Sequence, residues 1–78
     1  MTESLYDTKY QYVLGVLTTA REQSGLSQRK LSEKLGRTSS FVGKYENGNR
    51  RLDFGEVISI ALILKIDIHK LVDKVLKM

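Results

Sequence analysis

Residues 27–48 read SQRKLSEKLGRTSSFVGKYENG, and this stretch decides the fold. Ser27 is a good helix N-cap, because its hydroxyl can accept a hydrogen bond from a free N–H of the first turn. Leu31 and Leu35 follow on one face of a helix of about two turns, which Gly36 stops. Thr38 is the next capping residue. It predicts a second short helix over about residues 39–46, ended by Asn47-Gly48. Only a tight turn fits between Leu35 and Ser39. Two short helices joined this closely must cross steeply, which is a helix-turn-helix.

Working outward, a first helix is expected over about residues 7–24, with Tyr6 just before it and Tyr10, Val13, Leu14, Leu17 and Ala20 along it at helical spacing. Downstream, Asp53 caps a fourth helix with Glu56 in the capping-box position. Val57, Ile60, Ala61 and Leu64 form its apolar stripe. Ile66 opens a short loop, and Asp67 caps a fifth helix bearing Ile68, Leu71, Val72, Val75 and Leu76. There is no proline, and 41% of residues are hydrophobic, which argues against disorder. The expected fold is all-α, a compact five-helix bundle forming a single domain over residues 1–78.

Several function classes find no residues to serve them. Without cysteine there is no thiolate metal site, and His69 has no second histidine to share an ion. Ser27, Ser39 and Ser40 have no base nearby in sequence, and no glycine-rich phosphate loop is present. No enzyme activity, cofactor, metal or small-molecule substrate is expected. The longest apolar run, residues 60–64, is too short to span a membrane, and residues 1–4 lack a basic signal-peptide start. A cytoplasmic protein with no membrane partner is expected.

The net charge of +4 is unevenly placed. Residues 27–51 hold seven Lys/Arg against two Asp/Glu, whereas the flanking thirds are close to neutral. A basic zone confined to the helix-turn-helix suits a polyanion, nucleic acid foremost.

The residues Arg21, Gly25-Leu26-Ser27-Gln28, Leu31-Ser32, Leu35-Gly36, Thr38, Val42, Tyr45-Glu46-Asn47-Gly48, Arg50 and Arg51-Leu52-Asp53 stand at a gapless spacing that resembles the phage repressor/Cro family, also called the XRE family. The resemblance spans about two thirds of the chain, with a motif core over about residues 17–71 and the helix-turn-helix at about 28–46. It implies a lambda-repressor-like fold that binds double-stranded DNA. It also implies an ion pair between Arg21 and Glu46. Two positions depart from the pattern. Ser32 stands where alanine is usual, and Leu62 and Ile63 stand where relatives are smaller or more polar.

Site residues follow from the faces of the third helix. Val42 and Tyr45 point inward. Ser39, Ser40, Gly43 and Lys44 then form a short, polar outer face that can approach base edges, with Lys44 a donor for guanine O6 and N7. Phe41 reads equally as core or, as the resemblance implies, as an apolar contact beside DNA. Gln28 and Thr38 open helices whose free N–H groups favour phosphate. With Asn47, Asn49, Arg50 and Arg51 they form the expected phosphate grip. Arg29 and Arg37 are weaker candidates for that grip, with solvated surface charge as the alternative.

These features predict an operator-binding transcriptional regulator, a repressor at a palindromic site. The last two helices carry more apolar residues than one core stripe needs. Leu62, Ile63, Val72, Val75 and Leu76 are therefore expected at a homodimer interface. The alternative is a protein-interaction module of the same fold, such as an antitoxin or anti-repressor.

Overall fold

The computed structural model describes residues 2–78, with side chains from Thr8 onward, so Tyr6 lies outside the described side chains. Five helices follow one another: α1 (Thr2–Gln23), α2 (Gln28–Lys34), α3 (Phe41–Glu46), α4 (Phe54–Leu64) and α5 (Ile68–Leu76). No strand occurs among the described residues. None of these helices is long and apolar enough to cross a membrane.

Three of the expected caps are in place. Ser27 Oγ accepts from the Lys30 amide at 3.0 Å. Asp53 and Glu56 form a full capping box, with amide-to-carboxylate bonds of 2.7 and 3.0 Å. Asp67 Oδ1 accepts from the amides of His69 and Lys70. Gly36, at φ +71°, turns the chain between α2 and α3 in a conformation that side chains with a Cβ rarely adopt.

Two helix starts differ from the sequence expectation. α1 begins at Thr2 rather than near residue 7, since no glycine or proline interrupts that stretch. α3 begins at Phe41, not Ser39, and Thr38 is not its cap. Ser39 and Ser40 occupy a turn closed by the Phe41 amide on the Thr38 carbonyl at 3.0 Å. The cap of α3 comes from another helix. The Val42 amide donates to Ser32 Oγ at 3.0 Å, and that hydroxyl donates to the Gln28 carbonyl at 2.9 Å. Reading along the chain finds only local caps, so this one escapes it.

The core joins Leu14 and Leu17 of α1 to Leu31 of α2, Phe41, Val42 and Tyr45 of α3, Leu52, and Ile60 of α4. Leu17, Leu31, Val42, Tyr45 and Ile60 are fully buried. Burying each such aliphatic side chain contributes roughly 1.5–3 kcal/mol. Burial also pushes the Tyr45 hydroxyl above its ordinary pKa. The loop after α3 is tied back to α1, because the Leu52 amide donates to the Tyr10 hydroxyl at 2.9 Å and the Arg51 guanidinium lies 4.0 Å from the Tyr10 ring centre. These ties fix α3 against the rest of the molecule with its outer edge facing solvent.

Candidate nucleic-acid interface

α3 is short and its inner face is fully committed. Phe41, Val42 and Tyr45 are buried, leaving Lys44 and the preceding turn, Ser39 and Ser40, on the outside. The side chains of Ser39, Ser40 and Lys44 have no hydrogen bond or ion pair with other described residues. They form an uncrowded polar edge.

The angle of that edge is set by a buried ion pair. Arg21 Nε donates to Glu46 Oε2 at 2.8 Å, and Arg21 Nη2 donates to Oε1 at 3.1 Å. The two side chains are only 11% and 8% exposed. The remaining Arg21 nitrogen donates to the Leu26 carbonyl at 2.7 Å. The bond to Glu46 raises the Arg21 pKa further, so this guanidinium stays charged. A paired, nearly buried carboxylate and guanidinium thus clamp the end of α3 onto the end of α1.

Gln28 joins the same cluster. Its Nε2 donates to Glu46 Oε1 at 2.8 Å, and its side chain passes over Gly43. A Cβ at position 43 would stand 3.2 Å from Gln28 Oε1. Gly43 therefore makes room for the Gln28 side chain, beside the close approach to bases expected of it from the sequence. Gln28 is exposed, but its amide nitrogen is engaged within the chain.

Phe41 resolves as core, with 5% exposure. Its ring meets Tyr45 edge to face and is covered by the guanidinium of Arg37 at 4.2 Å and of Arg50 at 5.0 Å. The alternative of a base contact is corrected accordingly, because α3 starts at Phe41 and turns that side chain inward. Arg50 is likewise not a free cation. It grips Glu56 through two nitrogens at 2.8 and 2.9 Å. Arg37, a weaker candidate for the phosphate grip, also donates to Glu56, at 3.0 Å. Held by Arg50 first, then by the Asp53 amide and Arg37, the Glu56 carboxyl is pulled down to a pKa of about 2.

Thr38, Asn47, Asn49 and Arg51 remain exposed around α3. Asn47 Oδ1 accepts from the Asn49 amide at 3.1 Å, which shapes the loop following the helix. The outer edge of α3 is thus flanked by polar side chains on both sides.

The apolar residues of α4 and α5 divide. Ile63 is half-buried and packs on the core, so it leaves the expected interface set. Leu62 and Leu76 are each 74% exposed. Val72 is partly exposed, and Val75 is half-buried. Phe54, which sequence reading passed over, is 71% exposed at the start of α4. It borders a groove of about 260 Å³ shared with Val57, Val72, Val75 and Leu76. Leu62 lies outside that groove, two turns further along α4. Ser32 and Tyr10 escape sequence reading as positioning residues because Val42 and Leu52 lie ten and 42 residues further on, whereas Glu56 is legible as a capping-box residue but not as the anchor of Arg50 and Arg37.

Comparison with known proteins agrees with this geometry. The Helix-turn-helix family model matches residues 17–71. A solved XRE-family like protein from Pseudomonas syringae pv. tomato str. DC3000 superposes with a TM-score of 0.87 at 36% identity, covering 100% of this chain and 98% of that one. A Sinorhizobium fredii (strain NBRC 101917 / NGR234) protein described as "uncharacterized HTH-type transcriptional regulator y4dL" is 32% identical over 60 residues. That match covers 77% of this chain but spans only 31% of the relative's length. With the fold, the motif and the matched residues in agreement, the chain belongs to the XRE-type helix-turn-helix family.

Proposed function

We propose that this protein binds double-stranded DNA through α3 and regulates transcription, as a repressor at a palindromic operator. The observation that carries this reading is the outer edge of α3. Ser39 and Ser40 in the turn before it, and Lys44 on it, are exposed without partners among the described residues, and the inner face of the helix is locked into the core. Short hydroxyl and amino donors on a fixed helix edge suit base edges in the major groove. Thr38, Asn47, Asn49 and Arg51 lie where the DNA backbones pass and grip phosphate, which positions the protein but reads no sequence.

A palindromic operator needs a two-fold protein. The exposed Phe54, Val72 and Leu76 around the groove, with Val75 beneath them and Leu62 apart on α4, are the apolar side chains available to a homodimer. Single exposed apolar residues are ordinary, but a grouped set on a small chain marks an interface.

Selection of bound duplexes from a random pool tests this reading. Enrichment of a palindrome with half-sites about one helical turn apart supports it. Recovery of no preferred duplex, together with co-purification of a different protein on the α4–α5 surface, supports the interaction-module reading instead.

A further inference from the structure

We propose that Glu56 withholds Arg37 and Arg50 from DNA phosphates, and so limits the grip on duplexes of the wrong sequence. This rests on the DNA-binding reading above. One carboxylate holds two guanidiniums: Arg50 at 2.8 and 2.9 Å, and Arg37 at 3.0 Å. These are charge-assisted bonds, and the Arg50 fork is bidentate, the strongest arrangement such a pair makes. The carboxylate lies inside, 13% exposed, with the arginines outside it at 39% and 38%. The Asp53 amide fixes its Oε1 at 3.0 Å, so the group is pinned by the capping box rather than free to swing away.

The position of the cluster gives it consequence. Arg37 sits in the turn before α3 and Arg50 in the loop after it, and both guanidiniums cover the ring of Phe41, the first residue of the helix. That is the flank of the reading helix. Without Glu56, two more cations would face the backbone of any duplex lying against α3. Sequence-independent affinity grows with each cation placed on a phosphate. Extra phosphate grip raises affinity for every duplex alike, so it adds to occupancy of the many competing non-specific sites without adding any discrimination between sequences. Glu56 is thus a positioning residue that keeps recognition in the hands of Ser39, Ser40 and Lys44.

Glu56→Gln tests this directly. Glutamine keeps the shape and an acceptor for the capping box, but it carries no charge to hold the arginines. On scrambled duplex the variant should bind more tightly than wild type. Its salt dependence should steepen by about 0.9 for each arginine released, so its advantage shrinks by about tenfold between roughly 50 and 200 mM salt if both are freed. Mere structural damage would weaken binding, the opposite sign. Arg37→Gln provides a second reading that leaves the capping box intact. In the wild-type background it should leave the salt slope unchanged, and in the Glu56→Gln background it should remove about 0.9 from it. A Glu56→Gln variant that folds by circular dichroism yet shows an unchanged or shallower slope overturns the proposal. So does a slope lowered by about one in Arg37→Gln alone, which decides the matter even if Glu56→Gln does not fold. A wild-type chain with no affinity for any duplex overturns the DNA-binding reading and this inference together. Wild-type binding with either contrary slope overturns this inference alone.

Discussion

Ser32 Oγ accepts a hydrogen bond from the Val42 amide at 3.0 Å, so the start of α3 is capped by a residue ten positions earlier on α2. Both residues are fully buried. The bond therefore fixes the crossing of the two helices as well as satisfying a helix-end donor. Ser32→Ala removes the acceptor and strands the amide. The variant should lose about 1–3 kcal/mol in urea unfolding, the cost of an unsatisfied buried group. A stability equal to wild type would show that the cap carries no weight.

Arg21→Ala leaves the Glu46 carboxylate 8% exposed without its main partner. Exposed pairs contribute only about 0–1 kcal/mol, whereas breaking a buried one costs about 3–5 kcal/mol. Residual bonding from Gln28 keeps the expected loss between these limits. Denaturant midpoints of Arg21→Ala and of Glu46→Gln measure it. Because α3 loses its clamp, duplex affinity should fall along with stability.

The Glu56 carboxyl titrates at about 2 in the folded protein against an ordinary 4.5, chiefly through its bond to Arg50. A folded-state pKa that is lowered stabilises the fold above the ordinary value, and the contribution is lost as pH falls towards the folded value. Glu56 therefore supports the fold fully above about pH 5 and loses that role between about pH 5 and pH 2. The stability gap between wild type and Glu56→Gln should be widest near neutral pH and should close across that acid window. A gap that stays constant with pH would rule out the ionic origin.

Lys65 ends α4 at φ +60°, the only non-glycine residue with positive φ among the described residues. A side chain there costs roughly 1–2 kcal/mol, and glycine would escape that while adding roughly 0.5–1 kcal/mol of unfolded-state freedom. Lys65→Gly should raise stability by about 0.5–1 kcal/mol, read as a higher thermal midpoint. A lower midpoint would mean that the lysine side chain makes up for its own strain.

Much of the fold could be read along the chain where the signals are local. Ser27, Asp53 and Asp67 cap their own helices, so residue type and spacing locate α2, α4 and α5. The start of α3 could not be read this way. Its cap comes from Ser32, and Thr38 imitates a cap that the backbone does not use. The candidate site divides along the same line. The outward position of Lys44 follows from helical periodicity around Val42 and Tyr45. The engagement of Arg50 and Arg37 by Glu56 depends on the turn before α3 and the loop after it both reaching the first turn of α4, which no spacing within residues 27–51 announces. Phe41 could not be assigned for the same reason, since the guanidiniums that cover it come from either side of the helix. Phe54 shares the helical face of Val57 and Ala61, three and seven residues on, so periodicity alone places it with the core stripe and does not announce that the first residue of α4 stays exposed.

Lys44→Ala against a selected duplex and its single-base variants tests the central claim, that the outer edge of α3 reads sequence. Binding would be followed by fluorescence anisotropy, with Arg51→Ala as the contrast. If Lys44 contacts a guanine, its loss should cost about 1–3 kcal/mol on the selected duplex and abolish preference at one base pair, leaving scrambled DNA nearly unaffected. Arg51→Ala should instead weaken all duplexes alike and lower the salt slope by about one. A Lys44→Ala protein that weakens on every duplex equally, or retains full base preference, would contradict the account.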